Sequence, residues 1–303
     1  MSELRKDVLK MLGIPPDHLR LSVHARVRAA DIGGRVVEDI AFGTGDGTII
    51  PGYFIHPPAD RPPAPAILYC HAHGGRYDIG RAELFDGRPA LTGPYAADLA
   101  ARGYAVLCLE MPCFGQRADL REDATAKSML WRGTTLFGSM VAELRAGVAF
   151  LTDHPQIDAR RIATLGISMG GTHAWWLAAL DPAVRAAVSM CCLADLGMLI
   201  ETGAHDGHGN YMTVPGLLAR CSTGALAGLA APKPMLVCAG MQDWSTPEAA
   251  FARARDDLDA AYGTHDALDF IEYHVAPDVG HAETPAMRAA VLDFLKRRLG
   301  PRE

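Results

Sequence analysis

Three side chains in the second half of the chain have the types needed to cut an acyl bond together: Ser168, Asp243 and His281. Ser168 stands in Gly166-Ile-Ser168-Met-Gly170, between the apolar run Ile162–Ile167 and a helical stretch. A serine hydroxyl is a weak nucleophile until a base takes its proton, and the base needs a carboxylate to orient it. A sharp strand-to-helix turn presents such a serine, and small neighbours let strand and helix approach. The plainer reading is a glycine-rich turn with an ordinary serine. Asp243 follows 75 residues later in Gly240-Met-Gln-Asp243-Trp-Ser-Thr-Pro, and His281 a further 38 on, in Val279-Gly-His281-Ala-Glu-Thr-Pro. Each comes after an apolar run, so all three are expected at one edge of a sheet, in the order serine, acid, histidine. Asp195, in Cys191-Cys-Leu-Ala-Asp195, is the competing acid. Otherwise Asp243 reads as a turn or N-cap aspartate, and His281 as a solvated loop histidine.

Negative charge that develops on a carbonyl oxygen needs N–H donors already in place. One is expected from Met169, directly after the serine. The other is expected from the backbone of His73, in the loop His71-Ala-His73-Gly-Gly after the run Ala66–Cys70. His71 and His73 could instead offer two imidazoles to a metal. No carboxylate or cysteine at ligand spacing stands near them, so no metal site is expected. His205, His208 and Tyr211, in His205-Asp-Gly-His208-Gly-Asn-Tyr211, are candidate substrate contacts; their rival reading is a solvated loop. Trp175-Trp176 reads as core packing.

The elements that must position these groups show in the hydropathy pattern. Apolar runs at Ala66–Cys70, Tyr104–Leu109, Ile162–Ile167, Ala186–Met190, Met235–Ala239 and Asp269–His274 read as strands buried on both faces. Between them lie amphipathic stretches, including Ser139–Asp153 and Pro285–Leu299, each with an apolar stripe at helical spacing. That alternation predicts a three-layer, doubly wound, mostly parallel α/β sheet. Ahead of it, Arg35–Phe42 and Thr48–His56 flank Gly43-Thr-Gly-Asp-Gly and predict an antiparallel hairpin. The opening up to Asp31 reads as partly helical, with Leu4, Val8, Leu9 and Leu12 at helical spacing before Pro15-Pro16. Between the runs at Ala186–Met190 and Met235–Ala239 lie seven glycines and no strong stripe; Leu193–Ala230 is expected to form a cap over the sheet's carboxyl edge. Residues 1–303 are read as one domain.

The 303 residues are 49% apolar and 21% charged, which excludes a disordered chain or a disulfide mini-scaffold. A net charge of −6 with no Lys/Arg-rich run argues against nucleic acid and against an anionic membrane surface as partners. The first residues, Met1-Ser-Glu-Leu-Arg-Lys-Asp, carry both signs of charge and read as neither signal peptide nor membrane span. Seven cysteines without a C-x-x-C pair read as buried thiols, which places the protein in the cytoplasm. The oligomeric state stays open, a homo-oligomer included.

With these residues placed, the chain from Arg35 to Leu299 resembles the α/β-hydrolase superfamily, and within it the dienelactone-hydrolase-like and acetyl-xylan-esterase-like serine esterases. Besides the triad, Tyr69-Cys-His-Ala-His-Gly-Gly, Glu110-Met-Pro-Cys-Phe-Gly-Gln-Arg, Gly133-Thr-Thr-Leu-Phe-Gly and Val214-Pro-Gly-Leu-Leu are similar. The usual His-Gly opening of the oxyanion loop is His71-Ala72 here, and Glu110 stands for the family's aspartate. Dienelactone hydrolases use a cysteine nucleophile, whereas this chain has Ser168, which points to ordinary carboxylic esters. The resemblance implies a cofactor-free serine hydrolase acting on a small-molecule ester. The alternatives are a peptidase of the prolyl-oligopeptidase type and a non-catalytic binding protein on the same fold.

Overall fold

Nine strands pair into a single sheet: β1 (Ser22–Ile32), β2 (Arg35–Gly43), β3 (Ile49–His56), β4 (Ala64–Cys70), β5 (Ala105–Leu109), β6 (Ile157–Ile167), β7 (Ala186–Met190), β8 (Met235–Gly240) and β9 (Ile271–Ala276). Their order is β1-β2-β3-β5-β4-β6-β7-β8-β9. This computed structural model describes residues 2–14 and 20–300. β1, β2 and β3 are antiparallel, β3 meets β5 antiparallel, and every later pairing is parallel. From β4 the chain moves outward to β5, then returns past β4 to β6. The sheet therefore changes direction between β4 and β6, where Cys70 sits opposite Gly166. Such a switch point opens a crevice at the strands' carboxyl ends.

Side chains alternate between the two faces, as a buried strand requires. Ile67 and Tyr69 of β4 pack with Tyr95, Leu99, Val291 and Phe294 on one side. Leu68 and Cys70 join Val141, Leu144, Trp176 and Leu258 on the other. Helices Ala96–Ala101 and Pro285–Leu299 cover the first face; Leu136–Asp153, Met169–Leu180 and Glu248–Gly263 cover the second. This is the expected doubly wound architecture.

The beginning of the chain departs from expectation. Helix Glu3–Met11 forms, capped by the Ser2 hydroxyl, while Pro15 and Pro16 lie outside the described residues. Ser22–Ile32, however, is a strand, so the expected hairpin is a three-stranded antiparallel sheet. Val23, Ala25 and Val27 alternate with His24, Arg26 and Arg28, but the whole strand is exposed apart from its last residue. Two register shifts and the charges suit an edge that pairs on one side only. β9 also begins later than Asp269, because Leu268–Phe270 forms a single 3-10 turn. Among the described residues no single helix is long and apolar enough to cross a membrane.

Candidate active site

β6 ends at Ile167, and the next residue turns into helix Met169–Leu180 through a left-handed conformation, with Ser168 at φ 57° and ψ −125°. For a residue with a Cβ that geometry costs about 1–3 kcal/mol and must be enforced by its surroundings. The Ser168 N–H is fixed to the Met190 carbonyl at 2.8 Å. A Cβ on Gly170 would overlap the Cys70 carbonyl, and one on Gly166 would come within 2.6 Å of the same oxygen. Both glycines are therefore required by the approach of β4 to the first turn of the helix.

Asp243 and His281 leave adjacent strands, and their loops are joined by backbone bonds from Met241 to Ala276 (3.0 Å) and from Gln242 to Val279 (2.9 Å). A Cβ on Gly240 would strike the carbonyls of Val279 and Gly280, which explains the glycine at that exit. Asp243 Oδ2 lies 2.8 Å from His281 Nδ1. The other carboxylate oxygen accepts the Ser245 N–H at 2.8 Å and its hydroxyl at 2.7 Å. Burial would raise the Asp243 pKa, but His281 and the two Ser245 donors outweigh it and hold the carboxyl below its ordinary value. Asp195 sits elsewhere: it caps helix Leu196–Thr202 through the Met198 N–H at 2.9 Å and faces Arg253 at 3.6 Å.

In the loop after β4, His71 is fully buried; its Nδ1 lies 3.1 Å from the Ala72 carbonyl and its Nε2 accepts the Met111 N–H at 3.1 Å. Burial lowers its pKa to about 3, so it is a neutral structural imidazole. The Ala72 N–H is bound to Glu83 at 3.0 Å. His73 Nδ1 accepts the Gly75 N–H at 3.0 Å, and its Nε2 meets Glu122 at 2.5 Å. Glu122 also accepts the Tyr77 hydroxyl at 3.0 Å and the Tyr211 N–H at 3.1 Å. Burial opposes ionisation of Glu122, yet the hydrogen bonds from His73, Tyr77 and the Tyr211 backbone lower its pKa overall.

Ser168, Met169, His73 and His281 line one cavity of about 480 Å³, together with His208 and Tyr211. The two histidines of the long segment divide: His208 is in the wall, while His205 stacks behind it with ring centroids 5.9 Å apart. Trp175 and Trp176 are buried as core residues and also reach the wall. Among the described residues no group of three or more His, Cys, Asp or Glu is arranged for a metal ion. Sequence reading missed Glu122, Ser245 and Trp244. Ser245 could have been noticed as a hydroxyl two residues from the acid; Glu122 opens a helix with no hydropathy stripe and gives no signal.

The sequence pattern of the dienelactone hydrolase family matches residues 52–284, which include the serine, the aspartate and the histidine. The chain belongs to the dienelactone hydrolase family. Membership makes it a hydrolase. It is 33% identical over 300 residues to YtaP of Bacillus subtilis (strain 168), provisionally named a hydrolase, covering 98% of this chain and 99% of that one. The acetyl xylan esterase from Paenibacillus sp. R4 superposes with a TM-score of 0.69 at 18% identity, covering 99% of this chain and 95% of the other. The glucuronoyl esterase from Solibacter usitatus gives 0.67 at 16% identity, covering 99% and 93%. At those identities the likeness is one of fold, the α/β-hydrolase fold.

Proposed function

We propose that this family member is a serine carboxylic-ester hydrolase working through an acyl-enzyme on a small-molecule ester. The observation that carries the reading is His281, hydrogen-bonded to the buried Asp243, in the wall of the cavity that also holds Ser168 at its strained turn. With Nδ1–H donating to Asp243, the Nε2 atom of His281 is free to accept the Ser168 proton. Oγ attacks the ester carbonyl, and the oxyanion is received by the N–H groups of Met169 and His73. The Ala72 N–H is already committed to Glu83, which supports the next peptide of the loop as the donor. His281 then returns the proton to the departing alcohol, and water repeats the cycle to release the acid. These steps use no cofactor.

The segment Leu193–Ala230 acts as the lid in this reading, since His208 and Tyr211 from it complete the cavity. The cysteines are all free, which supports a reducing compartment such as the cytoplasm. Labelling with a fluorophosphonate probe tests the proposal: wild-type protein should react and hydrolyse p-nitrophenyl esters, and Ser168→Ala should do neither. Equal labelling of both proteins would overturn it.

A further inference from the structure

The cavity wall is built from two separate series of rings. One starts at the loop after β4: His73 stacks on Tyr211 at 5.5 Å, Tyr211 meets Phe137 at 6.2 Å, Phe137 meets Trp176 at 4.8 Å, and Trp176 lies on Trp175 at 5.3 Å. The other starts at the base: His281 lies 6.4 Å from Trp244, and Trp244 lies 5.7 Å from His208. Beyond His73 the first series is buried, with Trp175 and Trp176 both 3% exposed, whereas Trp244 is 59% exposed. One half of the site is thus an apolar recess, and the other half faces water.

The proposed mechanism assigns an occupant to each half. His281 must deliver a proton to the leaving oxygen, so the alcohol part lies on the Trp244 side. The acyl part is left with the recess. Its floor is the nucleophile helix itself: Thr172, Trp175 and Trp176 follow Ser168 on one helical face and reach the wall. From Ser168 to Trp176 that face runs about 12 Å. Leu196 and Met212 line the same cavity.

No carboxylate, lysine or carboxamide is among the described residues lining the cavity. Its two arginines are already engaged, Arg88 with Glu83 and the Ala72 carbonyl, and Arg76 with Asp78. A sugar-acid acyl group would lose its water there and find few hydrogen bonds in return. An acetyl group would leave most of the recess empty. An apolar group several carbons long would fill it.

We infer that the acyl half of the substrate is bulky and apolar, a chain of about six to eight carbons or an aryl group, held between Tyr211, Phe137 and the Trp175-Trp176 pair. The inference rests on the proposed serine-esterase reading and adds the class of acid released. Each methylene moved from water into such a recess is worth about fourfold in kcat/KM.

The test measures kcat/KM of the full chain on p-nitrophenyl acetate, butyrate, hexanoate and benzoate, so that only the acyl part varies. Hexanoate or benzoate should exceed acetate by at least about tenfold. Leu196→Trp, which adds bulk at a partly buried wall position, should cut the hexanoate-to-acetate ratio about tenfold or more. Should that variant fail to fold, inhibition of wild-type protein by methyl-, hexyl- and phenylboronic acid reads the same recess. The larger groups should bind at least about tenfold tighter. A flat series, or a preference for acetate, in protein that still labels with fluorophosphonate overturns this inference and leaves the esterase reading standing. Loss of labelling overturns both.

Discussion

Glu122 Oε2 and His73 Nε2 lie 2.5 Å apart, joining the start of helix Glu122–Trp131 to the loop proposed to hold the oxyanion. The same carboxylate binds Tyr77 from that loop and the backbone of Tyr211 from the segment over the cavity. One buried acid thus ties together two parts of the wall that are far apart in sequence.

In the proposed mechanism Glu122 is a positioning residue that acts through His73. Glu122→Gln keeps the shape but cannot accept all three donors. Its kcat should fall about tenfold or more, while KM stays within about threefold, because a misplaced oxyanion donor weakens the transition state more than the ground state. Steady-state kinetics on one ester gives both numbers. A change in KM alone would show that Glu122 only shapes the entrance.

Asp243 and Asp195 are separated by a pair of substitutions. Asp243→Asn removes the carboxylate that fixes the His281 tautomer, a change that cost about 10⁴ in kcat in a serine protease. Asp195→Asn keeps a good helix cap and should cost no more than about tenfold. Comparing kcat for the two variants checks the assignment, and the reverse ranking would move the acid to the end of β7.

Much of the fold is legible in the amino-acid sequence. Runs such as Ala186–Met190, buried on both faces, announce themselves by hydropathy, and the strand Ala186–Met190 and helix Pro285–Leu299 have the expected bounds. β1 was not legible because an edge strand needs no apolar face: its stability comes from pairing with β2, which leaves no mark in hydropathy. Within the site, the glycines around Ser168 and the order of the polar residues are local signals. The grip of Glu122 on His73 is a contact across 49 residues and exists only once the fold brings them together.

The turn at Ser168 makes a stability prediction. Gly170→Ala forces a methyl group against the Cys70 backbone, which cannot move without disturbing β4. The variant should lose about 1–3 kcal/mol or more in urea unfolding. An unchanged midpoint would mean that strand and helix are not so closely apposed.

Two fully buried histidines should govern stability in mild acid. Burial pushes His71 and His173 down to about 3, so both stay neutral in the folded protein. The unfolded chain takes up those protons near pH ~6.5. Their contribution is complete above that pH and is lost as pH falls toward about 3, because the unfolded state binds more protons throughout that window. Between pH 6 and 5 the loss should be about 2 kcal/mol for the pair. His173, which stacks on Phe137, can be replaced to isolate its share: His173→Phe should reduce the pH slope of urea-unfolding free energy by about one proton. An unaltered slope would show that this imidazole is not held neutral by burial.

The most direct measurement of the central claim is to trap the covalent intermediate. Protein mixed with a p-nitrophenyl ester and quenched in acid within the first turnovers should carry the acyl mass on the peptide containing Ser168. That adduct should be absent from Ser168→Ala and should accumulate in step with a burst of p-nitrophenol. An acyl group found instead on Cys191 or Cys192, which line the same cavity, or turnover by Ser168→Ala at the wild-type rate, would contradict the account.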